Sequence, residues 1–177
     1  MGTATHRPAR LRRAGPAALL LLVATLVVLR LAVAEPFRIS SESMLPTLHS
    51  GDQVLVDKRA YRHTGSERRG DLAVLRAPRS GQILLKRIVA VAGDTVAIKD
   101  GLLYVDGRLR NEPYVDQRAI DGLYFGPVRV PVRTVFVLGD NRANSEDSRA
   151  FGAVATGRLI GRVLARVWPP GRLGVPR

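Results

Sequence analysis

The chain has 177 residues, 28 Lys and Arg against 15 Asp and Glu, a net charge of +13 and no cysteine. That length suits one domain, and 46% hydrophobic against 24% charged residues excludes a disordered chain. The missing thiol excludes disulfides, thiolate zinc sites and a cysteine nucleophile. Aromatics at 5% with no basic helical stripe argue against nucleic acid as the partner of the charge.

The first element is an apolar block, Pro16 to Ala34, uninterrupted from Ala17 to Leu29 and preceded by Arg7, Arg10, Arg12 and Arg13. A bilayer span needs roughly 20 apolar residues, which this stretch reaches if Arg30 snorkels to the far interface. The arginines before it predict the N-terminus inside and everything from Glu35 onward outside. A cleavable signal peptide explains the same features, because Ala32-Val33-Ala34 is an A-x-A site. Both readings put the rest of the chain outside the cytoplasm.

After residue 35 the pattern changes to short β-branched and Leu-rich runs. They predict strands at 53–56, 71–75, 82–91, 95–98, 102–105, 128–130, 135–138 and 159–168. Asp100-Gly101 and Asp106-Gly107 stand between apolar runs, as tight hairpin turns require. Nothing repeats at 3.6 residues for long. The expected fold is mostly β, an antiparallel barrel or folded sheet behind one N-terminal transmembrane helix. The division is a basic tail (1–13), an anchor (14–34), a catalytic β domain (35–170) and a C-terminal tail (171–177). Arg162 and Arg166 make a second span at 159–168 too costly.

The chemistry has few places to sit. His6, His49 and His63 form no ligand pair, so no metal or other cofactor is expected, and no G-x-S-x-G elbow, P-loop or G-x-G-x-x-G is present. Three segments stand out. Ser40 to Leu48 is rich in hydroxyls, although a serine in a loop usually bonds only to nearby backbone. Leu84 to Asp94 holds Lys86 between apolar neighbours. A chain with 25 Arg and three Lys has here used the one cation that burial can deprotonate into a base. Leu138 to Arg149 is a long polar loop after a strand, a common place for function.

Together these segments resemble the bacterial type I signal peptidases, membrane-anchored Ser/Lys endopeptidases that remove signal peptides. The family's S-x-S-M-x-P-T segment matches Ser41 to Thr47, and its R-G-D matches Arg69-Gly70-Asp71. Its K-R-[IV]-x-G-x-x-G-D segment matches Lys86 to Asp94 with Ala90 in place of the first Gly. Its G-D-N-R-x-x-S-x-D-S-R segment matches Gly139 to Arg149. The resemblance implies Ser43 as nucleophile and Lys86 as neutral general base. It implies Ser41 with the Ser43 N–H as the oxyanion hole, and Ser145 as the hydroxyl that orients the amine. Arg87, Asp140, Asp147 and Arg149 correspond to supporting charges, and Met44 to a substrate-binding position beside the nucleophile. The Ala90 methyl leaves the packing at that point of the strand open. Only 44 residues separate Asp94 from Gly139, so the second β domain of longer members is absent.

The same resemblance favours an uncleaved anchor. Its implied partners are signal-peptide-bearing preproteins with small residues at the first and third positions before the cut, and membrane lipid. It leaves room for contact with the export machinery. The rival readings are a single-substrate or pilin-processing peptidase of the same clan and a non-enzymatic basic protein that binds anionic surfaces.

Overall fold

The computed structural model describes residues 19–21, 34–63, 65–116 and 122–176. The chain divides into two units, Met1–Ala32 and Val33–Arg177. Of the first, only 19–21 are described, and they are helical. The expected anchor at 14–34 therefore lies, apart from 19–21 and Ala34, outside the described residues. Among the described residues no helix is long and apolar enough to cross a membrane.

The second unit is built from eleven strands. They are β1 (Ala34–Arg38), β2 (Gln53–Asp57), β3 (Leu72–Arg76), β4 (Ile83–Val91), β5 (Thr95–Lys99), β6 (Leu102–Val105), β7 (Arg108–Leu109), β8 (Phe125–Arg129), β9 (Thr134–Leu138), β10 (Val154–Ala155) and β11 (Leu159–Trp168). All eight expected strands are present. The additions are β1, which holds Pro36 at a sheet edge where a missing N–H is tolerated, and the two-residue β7 and β10. Strand β8 lies earlier than expected and ends at Arg129, while Val130 is buried and its N–H donates to the Asp94 carbonyl at 2.8 Å.

A seven-stranded antiparallel sheet runs β1-β2-β11-β3-β4-β9-β10, and a four-stranded one runs β7-β6-β5-β8. The large sheet keeps β1 and β10 as its two ends, so it is a folded sheet and not a closed barrel. The hairpins β5-β6 and β6-β7 turn on Asp100-Gly101 and Asp106-Gly107. All four residues have positive φ (52°, 78°, 54° and 73°), the condition a tight hairpin turn imposes.

Strand β4 divides its pairing between two neighbours. Its first half, Ile83 to Arg87, pairs with β3, and its second half, Arg87 to Val91, pairs with β9. Lys86 and Arg87 thus stand where one neighbour gives way to the other. The register shifts between Ile88 and Ala90, and Ala90 opposes Phe136. The Ala90 methyl is fully buried in the cluster that includes Val96, Leu103 and Phe136, so a methyl at this position makes an ordinary core contact. A second cluster joins Met44 and Leu48 to Val54, Val74, Leu85 and Val163.

The C-terminal residues fold back. After β11 the chain makes a short 3-10 turn, Pro170–Arg172, and Arg166 exchanges two backbone hydrogen bonds with Gly174 (2.7 and 3.1 Å). Residues 171–174, expected within a tail, form a hook against β11.

Candidate active site

The segment between β1 and β2 carries the first hydroxyls. Its turns are closed by the Leu45 N–H on the Glu42 carbonyl (3.1 Å) and the Leu48 N–H on the Met44 carbonyl (2.9 Å). Met44 and Leu48, four apart, are both buried in the core and pin the segment down. Ser43, between this anchor and the surface, is then aimed at β4. Lys86, 2% exposed, donates from Nζ to Ser43 Oγ at 2.7 Å. The hydroxyls of Ser41 and Ser43 lie 3.3 Å apart.

Burial lowers the Lys86 ammonium to about 8, from an ordinary value near 10.5. Asp147 is the strongest opposing influence; Arg149 lowers it further, while Glu146 and Asp140 raise it. Among the described residues no carboxylate bonds Lys86 directly, which is why desolvation prevails. Its sole hydrogen-bond partner among the described residues is a neutral hydroxyl.

Arg87, the next residue, has the contrary setting. It grips Asp140 through two bonds, Nε to Oδ1 at 2.8 Å and Nη2 to Oδ2 at 2.7 Å, both groups being buried. Nη1 donates to the Gly70 carbonyl at 3.1 Å, and the guanidinium lies 3.7 Å over the Tyr114 ring. Burial pulls Arg87 down, but Asp140 outweighs it and raises the group. Thr47 Oγ1 donates to the same Asp140 at 2.5 Å, tying the serine segment to this pair.

The loop after β9 closes over the serine. The Asn141 N–H donates to the Ser43 carbonyl at 3.0 Å, and Asn141 Nδ2 to the Glu42 carbonyl at 3.2 Å. Gly139 has no room for a side chain: a Cβ there would stand 2.2 Å from Ser145 Oγ and 2.5 Å from the Ser43 carbonyl oxygen. Asp147 caps the short helix α1 (Ser148–Phe151) and accepts from the Gly139 N–H (3.0 Å), Ser145 (2.8 Å) and Arg149. Burial pushes the Asp147 carboxyl up, yet Arg149 and these donors more than offset it and hold it low.

All nine residues singled out in the sequence therefore lie around one spot. Ser145 differs in detail, because its hydroxyl bonds to Asp147 and not to the Lys86 amine. Thr47, Gly139, Asn141 and Arg142 went unassigned although they lie inside the quoted segments. Glu112 and Tyr114 had no sequence signal beyond a polar loop. Arg142 Nη2 donates to Glu112 Oε1 at 2.6 Å and its Nε to the Gly139 carbonyl at 3.0 Å, while Tyr114 donates to Glu112 at 2.9 Å.

A groove of about 400 Å³ runs from Ser43 between Phe37–Ser41 and Gln82–Leu85. Both walls present unused strand edges. Among the described residues β1 pairs only with β2, and β4 up to Lys86 pairs only with β3. An extended peptide laid here would find backbone partners on either side.

The chain has clear relatives among known proteins. Residues 12–168 match the family model described as signal peptidase, peptidase S26. A relative from Synechocystis named probable signal peptidase I-1 is 40% identical over 165 residues, covering 88% of this chain and 83% of its own length. The signal peptidase I of Bacillus caldolyticus is 38% identical, covering 83% of this chain and 86% of its own. A crystal structure of a signal peptidase I from Enterococcus faecalis superposes with a TM-score of 0.51 at 32% identity, over 58% of this chain and 99% of that one.

Proposed function

The chain belongs to the signal peptidase S26 family of serine peptidases, and from that premise we propose that it cuts signal peptides from exported preproteins with Ser43 as nucleophile and Lys86 as general base. The observation that carries the assignment is the 2.7 Å bond from a buried amine to a serine hydroxyl. A serine hydroxyl needs an adjacent base, and an amine held near 8 is neutral often enough to serve.

Ser43 Oγ attacks the scissile carbonyl as its proton passes to Lys86 Nζ. The oxyanion forms beside the Ser43 N–H and the Ser41 hydroxyl. Lys86 returns the proton to the departing amine of the mature protein, leaving the signal peptide as an ester on Ser43. A water, deprotonated by the same amine, then hydrolyses that ester. Met44 and Ile39 contribute apolar surface to the groove beside Ser43, which Ser40, Ser41 and Gln82 line as well. This suits small side chains at the first and third positions before the cut.

Residues 14–34 serve in this reading as an uncleaved membrane anchor with the N-terminus inside and the β domain outside. Their composition supports this, as does a family match that begins at residue 12.

The decisive assay is cleavage of a fluorescent A-x-A peptide in detergent by wild type, Ser43→Ala and Lys86→Arg. Both variants should lose roughly 10³-fold or more in kcat. Wild-type kcat should rise with pH through about 8, as Lys86 loses its proton. Full activity in Lys86→Arg would overturn the assignment, because a guanidinium stays protonated.

A further inference from the structure

The nucleophile segment is held from two sides, and the charges behind Arg87 account for only one of them. On the other side stands Asp52, fully buried at the end of the segment. Its Oδ2 accepts from the His49 N–H at 3.0 Å, and its carbonyl accepts from the Ile39 N–H at 2.8 Å. Asp52 thereby closes the chain from Ile39 to Asp52 into a compact loop around Ser43. Its carboxylate meets two guanidiniums from the far end of the sequence. Arg172 Nη2 donates to Oδ1 at 2.5 Å, and Arg166 Nη1 lies 3.6 Å from Oδ2.

Arg166 does more than pair. Its Nη1 donates to the Thr47 carbonyl at 3.1 Å, and its Nε donates to the Arg172 carbonyl. Thr47 is consequently held at both ends: its hydroxyl by Asp140 and its carbonyl by Arg166. The hook that presents Arg172 is fixed by the Arg166–Gly174 backbone pair. An exposed ion pair contributes little, but here the acid is wholly buried and Arg166 largely so. Losing one cation leaves a desolvated carboxylate short of a partner, in the very loop that aims Ser43.

We infer that the C-terminal hook, through Arg166 and Arg172 on Asp52, positions the Ser43 segment against Lys86. The inference rests on Ser43 being the nucleophile. It extends to residues beyond those the family match reaches, since that match ends at residue 168. Arg172 touches no reacting atom and acts only through the loop, so it is a positioning residue. Its loss should loosen the loop, lengthen the Lys86–Ser43 contact and admit water to the amine. The groove wall Gln82–Leu85 is not held by the hook, whereas Ile39 to Met44 on the other wall belong to the loop it holds, so peptide binding should change less than the rate.

The test uses the full chain in detergent with the A-x-A peptide, and compares wild type, Arg172→Met, Arg172→Lys and Ser43→Ala. Arg172→Met should lower kcat between about 5-fold and 100-fold, the scale of a small misplacement, with a smaller change in KM. Its kcat–pH midpoint should move upward as water reaches Lys86, whose other charged neighbours (Asp147, Arg149, Glu146 and Asp140) are unchanged. Arg172→Lys should restore most of the rate. Thermal melts on the same samples separate misfolding from misplacement. Wild-type kcat in Arg172→Met overturns the inference. So does a loss that merely follows the unfolded fraction with an unmoved pH midpoint, or a failure of Lys to rescue. Cleavage that persists in Ser43→Ala would instead sink the nucleophile assignment and take the inference with it.

Discussion

Two charged centres lie on neighbouring residues of β4, and they have opposite surroundings. Around Arg87 every charge is answered: Asp140 takes two guanidinium bonds, and Glu112 answers Arg142. Lys86 has no carboxylate of its own, and among the described residues its nitrogen meets only the Ser43 hydroxyl. The two side chains are similarly buried, at 2% and 4% exposure. The counter-charge therefore decides the outcome: a paired cation becomes framework, and an unpaired one is free to act as the base proposed above. Strand alternation sends the two side chains to opposite faces, which lets one short run of chain build both.

That contrast can be broken from either side. Asp140→Asn removes the answer to Arg87 and leaves a desolvated guanidinium, a change that typically costs about 3–5 kcal/mol. At this chain length thermal melting should show a drop of roughly 10 °C. An unchanged melting temperature would mean that the Arg87–Asp140 pair is not framework.

Ser41→Ala removes one of the two proposed oxyanion donors and should lower kcat by up to about 10²–10³-fold with KM nearly constant. Steady-state kinetics would report this, and a fall confined to KM would place Ser41 in substrate binding alone.

Lys86→Met inverts the usual expectation, losing activity while gaining stability. The folded value near 8 lies below the unfolded value of ~10.4, so the folded state binds fewer protons between them. Stability from this group thus rises with pH across that window, and the deficit is fully present below 8. Deleting the amine should raise the melting temperature at pH 7 by a few degrees and flatten the rise from pH 8 to 10. Wild-type melting at every pH would contradict the desolvation account.

The smallest effect concerns Asp147, whose charge pulls the Lys86 value upward while Arg149 pulls it down. Asp147→Asn should move the rising limb of the kcat–pH profile to lower pH, by less than about one unit. A shift toward alkali would show that loop disorder, not charge, dominates.

The strands were legible because alternation and Asp-Gly turns are local signals. Strand β1 was not, since its Pro36 reads against a strand and only an edge position excuses it. The candidate site divides in the same way. Ser43, Lys86 and the loop from Gly139 to Arg149 carry unusual residue types in unusual company. Glu112 and Tyr114 look like any polar loop, and their contact with Arg142 and Arg87 exists only once the loop has folded over. Ser145 shows the limit of resemblance, which suggested its neighbourhood but not its partner.

The separation in sequence of the parts around Ser43 has a temporal consequence. Lys86 lies 43 residues beyond the serine, and the Asp140 and Asn141 contacts with its segment span 93 and 99. A chain made from its N-terminus exposes Ser43 long before Lys86, its proposed base, and longer still before the loop that fixes its carbonyl. The serine of a half-made chain is an ordinary alcohol. In the proposed mechanism reactivity arrives only once these distant parts have met, so a nascent copy would lack the means of cutting itself or its neighbours.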